Sequence, residues 1–96
     1  MTHDRDEETL RVGRAARALI ETEAYVSTMR LLEAQYVEAM IYSEEGHYGA
    51  EAREQANRML HALRAIANEL AGRVAAAAET EARLSLEGDD DDEEIL

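Results

Sequence analysis

The chain has 96 residues and a formal net charge of −12, from 22 acidic residues against 10 basic ones, all of them arginine. It has no cysteine, which excludes disulfides and thiolate metal sites, and its acidic balance argues against direct binding to nucleic-acid phosphates. A chain this short buries only a small core. We therefore expect a partner or further copies of the chain to stabilise its fold. The charged N-terminus and the short apolar stretches predict neither a signal peptide nor a membrane span, hence a cytosolic location.

Residues 1–6 are predicted to be a flexible N-terminus, followed by a short helix from about Glu7 to Ile20. At Glu21 and Thr22 the chain can either break, with Thr22 as the N-cap of the next helix, or continue straight on. We favour the break, although no proline or glycine enforces it.

Three arginines of this first helix, Arg11, Arg14 and Arg17, lie three residues apart and so share one helical stripe. A basic stripe can contact phosphates, but acidic residues lie nearby on the same helix. We interpret the stripe as a solvated face with ion pairs to Glu7, Glu8 and Glu21.

Two longer helical segments follow, joined by a turn at residues 44–50, where Gly46 and Gly49 interrupt a sequence of strong helix formers. Each segment has an apolar stripe at helical spacing. In the first the stripe is Tyr25, Met29, Leu32, Tyr36 and Met40, and in the second it is the heptad seam Ala56, Leu60, Leu63, Ala67, Leu70, Val74 and Ala77.

These patterns predict an all-α fold: one helical hairpin domain over residues 7–87, with an antiparallel pair of helices after the short first one. The stripes are wider than one partner helix would cover, so we expect the hairpin to assemble into an oligomeric bundle or ring. The predicted oligomer interface consists of Tyr25, Met29, Leu32, Tyr36, Met40, Leu60, Leu63, Leu70 and Val74. Close contact is also expected at the small residues Ala15, Ala16 and Ala18 and in the run from Ala75 to Ala78.

One spacing suggests a metal site, because Glu44 and His47 match the Glu-x-x-His pattern of carboxylate-bridged di-iron bundles. However, Gly46 lies inside the motif, and His61 has Arg58 where a second glutamate would be needed. A polar turn explains the motif equally well, so we predict no metal, no other cofactor and no catalytic residue.

The chain ends in an acidic run, predicted to begin where Gly88 breaks the second helix and to be disordered in isolation. A solubilising tail is one interpretation. Because two aliphatic residues close the run, we favour a docking tail over residues 88–96 that binds a basic-rimmed apolar pocket of a larger protein. Its docking residues are Asp89, Asp90, Asp91, Asp92, Glu93, Glu94, Ile95 and Leu96.

A further pattern lies within residues 11–74: Arg53-Glu54 opens the second main helix, and Leu60, Ala62-Leu63-Arg64 and Leu70 follow. With this pattern the sequence resembles small helical-hairpin proteins from the head and DNA-packaging gene module of tailed bacteriophages. That group has Asn-Pro after its first helix, where this chain has Glu21-Thr22. The resemblance implies a structural, head-assembly or packaging component, located in the bacterial host cytoplasm or in the virion.

The sequence thus predicts a non-enzymatic assembly protein whose partners are itself and a larger phage or host protein, with neither nucleic acid nor a membrane bound directly. The alternative is an acidic inhibitor that imitates nucleic acid and blocks the basic groove of a host protein.

Overall fold

The computed structural model describes residues 2–42 and 46–95, and within these ranges the side chains of residues 4–42 and 49–88. Over the described residues the chain forms three α-helices and no strand: α1 (Thr2–Ile20), α2 (Glu23–Tyr42) and α3 (His47–Ile95). The predicted all-helical fold class is confirmed.

The break between α1 and α2 lies where Thr22 predicted it. The backbone N–H of Tyr25 donates a hydrogen bond to Thr22 Oγ1 at 3.1 Å, and the N–H of Val26 donates to the Thr22 carbonyl at 3.1 Å. This is N-cap geometry, in which a side-chain oxygen satisfies an N–H that has no partner inside the helix.

Helix α1 begins at Thr2, five residues earlier than predicted. We had expected residues 1–6 to be flexible. The early start has two physical causes: Asp4 lies in the first turn, where a negative charge favours the helix dipole, and Asp6 binds an arginine of α3.

The turn between α2 and α3 contains Gly46, whose φ of 101° lies in the left-handed region that favours glycine. The N–H of Ala50 donates to the Gly46 carbonyl at 3.0 Å, so Gly46 precedes the first turn of α3. Gly49, which we placed before the new helix, lies inside that first turn and is buried.

Helix α3 continues to Ile95, whereas we predicted that Gly88 would end it. Gly88 has no positive φ, and a glycine inside a helix costs only about 1 kcal/mol relative to alanine. An i,i+4 ion pair between Arg83 and Glu87, at 3.5 Å, supports the turn just before it. Glycine alone is therefore too weak a signal to end this helix.

The chain forms two compact units, and the predicted hairpin domain over residues 7–87, which includes parts of both, stays a prediction. One combines residues up to Leu19 with those from Leu70 onward, and the other spans Ile20–Glu69. Length explains the division. Helix α3 has 49 residues and α2 has 20, which correspond to about 74 Å and 30 Å, so α2 can cover only part of α3.

In the first unit, α1 packs antiparallel to the second half of α3. Arg83 Nη2 donates to Asp6 Oδ1 at 2.6 Å, and further along Gly13 lies against Ala77. The buried positions here are small: Ala16, Ala77 and Thr80, together with Gly13 itself. Of the alanines expected to allow close helix contact, Ala16 of α1 and Ala77 of α3 are buried in this unit, whereas Ala15, Ala18, Ala75, Ala76 and Ala78 are exposed.

In the second unit, α2 packs against the first half of α3. Ala56 and Leu60 are buried, at 2% and 5% exposure. Side chains from both helices enclose a small cavity of about 60 Å³, lined by Met29, Glu33, Leu60, Leu63, Arg64 and Ala67. The bulkier apolar side chains of the chain are thus concentrated in this unit.

Gly13 gives a direct test of the close contact in the first unit. A Cβ built at Gly13 would overlap the Ala77 methyl and lie 2.8 Å from the Arg73 carbonyl oxygen, whereas at Gly72 it would meet nothing within 4 Å. We therefore expect Gly13→Ala to lower the free energy of unfolding by about 1–3 kcal/mol. The control Gly72→Ala should raise it by about 0.5–1 kcal/mol. Urea unfolding at one protein concentration measures both, and equal effects of the two changes would contradict the contact.

Candidate interaction surfaces

Four of the residues predicted to form the oligomer interface lie where helices of the chain contact each other. Leu60 is buried, and the other eight, Tyr25, Met29, Leu32, Tyr36, Met40, Leu63, Leu70 and Val74, are half-buried. Met29, Leu60 and Leu63 line the cavity between α2 and α3. Leu70 lines a groove beside α1, together with Ala16 and Leu19. These four residues thus take part in contacts inside the units, and the interface as a whole stays a prediction.

Large apolar side chains elsewhere remain exposed. Those of the described residues are Leu19, Leu31, Val37, Ile41, Tyr42, Ile66 and Leu86. By contrast, the buried apolar side chains of the same part of the chain are Ala16, Ala56, Leu60 and Ala77, three of which are alanines. The interior that the chain makes by itself is therefore very small.

Helix α2 contributes most to this exposed apolar surface. Leu31, Ala34, Val37 and Ile41 follow one another at spacings of three or four residues, so they share one side of the helix, which we name the outer face of α2. Leu31 and Ile41 are 59% and 65% exposed. None of these four residues belongs to the interface predicted from the sequence. The three-and-four spacing from Ala34 to Ile41 could have revealed this second stripe.

Ion pairs join acidic and basic residues on the first unit. Arg14 and Glu81 lie 3.7 Å apart, and Arg11 and Glu8 lie 3.3 Å apart. The hydrogen bond from Arg83 to Asp6, followed by the charge of that carboxylate, raises the pKa of Arg83. Arg11 is paired with Glu8, as the solvated-face interpretation expects, whereas Arg14 is paired with Glu81 of α3.

The candidate metal position falls largely outside the described residues. Glu44 and the side chain of His47 lie outside them, and His61 is exposed on α3. Among the side chains that the structure describes, no group of three or more histidine, aspartate or glutamate residues is placed to hold a metal ion.

The predicted docking tail also has little described structure. Residues 88–95 belong to α3, but the side chains of Asp89 to Ile95 lie outside the described residues, as does Leu96. Over the part of the chain that the structure describes, no helix combines the length and the apolar character needed to cross a membrane.

Comparison with protein-family models, with curated proteins and with solved structures finds no match for this chain. The function of the candidate surfaces is therefore inferred from the exposure and charge of their side chains.

Burial predicts which leucines support the fold. Leu60→Ala should lower the free energy of unfolding by about 2–4 kcal/mol, because it removes a buried side chain and leaves a cavity. Leu86→Ala makes the same chemical change at a position that is 66% exposed, and it should change the free energy by less than about 0.5 kcal/mol. Chemical denaturation compares the two, and a Leu86 effect as large as that of Leu60 would contradict the assignment.

Proposed function

We propose that the protein is a non-enzymatic assembly protein that self-associates through apolar helix faces and docks on a larger partner by its acidic C-terminal end. The observation that carries this proposal is the imbalance between a core of three alanines and one leucine and seven large exposed apolar side chains, all within the described residues. Three of the seven, Leu31, Val37 and Ile41, share one side of α2, and apolar side chains grouped in this way on a surface often mark an interaction site.

Self-association would complete the interior that the two units lack. Helices with an open apolar side are stabilised when further helices cover it, as in four-helix bundles. A hairpin-like pairing of α2 with α3, repeated around a bundle or ring, would supply those helices.

The C-terminal end supplies the second contact. Six consecutive acidic residues precede Ile95 and Leu96. The acids would steer this end toward a basic surface, and the two aliphatic side chains would fill a small apolar pocket. The resemblance to the phage head and packaging module favours a portal, capsid or terminase subunit as the larger partner.

The alternative, imitation of nucleic acid, needs carboxylates spread over the surface without intervening cations. Here Arg11, Arg14 and Arg83 each lie next to a carboxylate of the first unit, while the densest acids lie at one end of the chain. This distribution favours docking over imitation.

Light scattering on the full chain and on a variant lacking residues 88–96 tests the proposal. We expect both proteins to have the mass of an oligomer, because the helix faces and not the tail hold the copies together. Capture of portal, capsid or terminase subunits should be lost in the shortened variant and weakened by salt in the full chain.

A matched control replaces only Ile95 and Leu96 by serine and keeps all six acids. It should lose capture while retaining the oligomer mass. A monomeric full chain would contradict self-association, and unchanged capture by the shortened variant would contradict docking. A monomer that displaces DNA from a basic protein would instead favour the alternative.

A further inference from the structure

The outer face of α2 is an apolar surface that the other described residues leave largely uncovered. Val37, Leu31 and Ile41 are 37%, 59% and 65% exposed, and Ala34 between them is exposed as well. The opposite side of α2, which includes Met29 and Leu32, packs toward α3. Helix α2 is therefore apolar on two sides, a pattern typical of a helix buried between neighbours.

The charged residues on this face are arranged symmetrically. Arg30 and Glu38 each lie four residues from Ala34, on opposite sides of it, and Leu31 and Val37 each lie three residues away. Both charged side chains are exposed, and neither forms an ion pair with another described residue. The face is therefore positive before Ala34 and negative after it, so reading it in the reverse direction exchanges the two signs.

That arrangement is complementary to an antiparallel copy of itself. When two such helices pack antiparallel with their Ala34 residues opposite each other, Arg30 of each lies opposite Glu38 of the other, and Leu31 lies opposite Val37. A twofold interface brings the same patch of both copies together, so each favourable pair occurs twice. A parallel pairing would instead place Arg30 opposite Arg30 and Glu38 opposite Glu38.

We infer that a second copy of this chain docks on the outer face of α2, antiparallel and with the twofold axis at Ala34. The inference rests on the proposed self-association and specifies its surface, which differs from the predicted interface residues. Leu31 and Ile41 are each more than half exposed, which leaves apolar area on this face for the contact. The small side chain of Ala34 allows the two helix axes to approach to about 8 Å.

A single cysteine tests the axis, because the natural chain has none. Ala34→Cys places one thiol per chain at the twofold axis, where both can reach disulfide distance. Ala65→Cys is the matched control, since Ala65 is also exposed but lies on α3. Under mild oxidation we expect Ala34→Cys to form a covalent dimer while Ala65→Cys stays largely uncrosslinked. Equal crosslinking of both variants, or no crosslinking of Ala34→Cys in a chain that self-associates, would overturn the inference.

Charge reversal tests the register independently. Arg30→Glu or Glu38→Arg alone sets like charges opposite each other, and we expect each to raise the dissociation constant about tenfold or more. The double variant Arg30→Glu/Glu38→Arg restores both pairs, so its dissociation constant should return close to that of the natural chain. Sedimentation velocity measures all four proteins.

These experiments distinguish a failure of the proposed self-association from a failure of the antiparallel contact at Ala34. A natural chain that is monomeric at all concentrations contradicts the proposed function and this inference together. A self-associating chain in which the single reversals have no effect, or in which the double variant is weakest, contradicts only the antiparallel contact at Ala34. The two units should keep their helical circular dichroism in every variant, because the altered side chains lie on the exposed side of α2.

Discussion

The structure depends on how apolar area is distributed along α3. An amphipathic helix is stabilised when neighbours cover its apolar side. Here α1 packs against the second half of α3, and α2 packs against the first half. Two helices in contact can bury only the residues on the line between them, so side chains beside that line stay half-exposed. In the described part of the chain, this leaves Leu60 as the one large apolar side chain that is buried. Further helices packed against the open sides would bury the half-exposed side chains.

The two units meet this constraint differently. In the first, Gly13, Ala16 and Ala77 let the helix backbones approach closely, and the ion pair from Asp6 to Arg83 sits near the end of the contact. Close backbone contact needs little side-chain volume, so this unit leaves few large apolar groups unburied. The second unit has larger side chains, and α2 cannot hide them all on α3. Helix α2 consequently carries four of the seven large apolar side chains that are exposed within the described residues.

The local features of the fold were predictable from the sequence because short-range chemistry determines them. Thr22 caps α2 and Gly46 adopts a left-handed backbone, both as their residue types indicate. The length of α3 beyond Gly88 was not predictable in this way, since a glycine only weakens a helix and does not forbid it.

The pairing partners were harder to predict because they depend on contacts between distant residues. Gly13 looks like an ordinary helical glycine until Ala77 is placed against it. Similarly, the spacing within α2 fits two apolar sides, and periodicity alone does not say which side α3 covers. The interface predicted on α2 is the stripe from Tyr25 to Met40, while Leu31 and Ile41 on the outer face are more exposed than that stripe. Contact geometry, not composition, decides between them.

The central claim is that folding of this chain is completed by association, so its thermal stability should depend on protein concentration. Circular dichroism melts of the full chain over a wide range of concentrations test this directly. The account predicts a melting temperature that rises with concentration, because association stabilises only the folded state. A melting temperature that stays constant over that range, with a cooperative transition, would show that the two units are complete without a partner and would contradict the account.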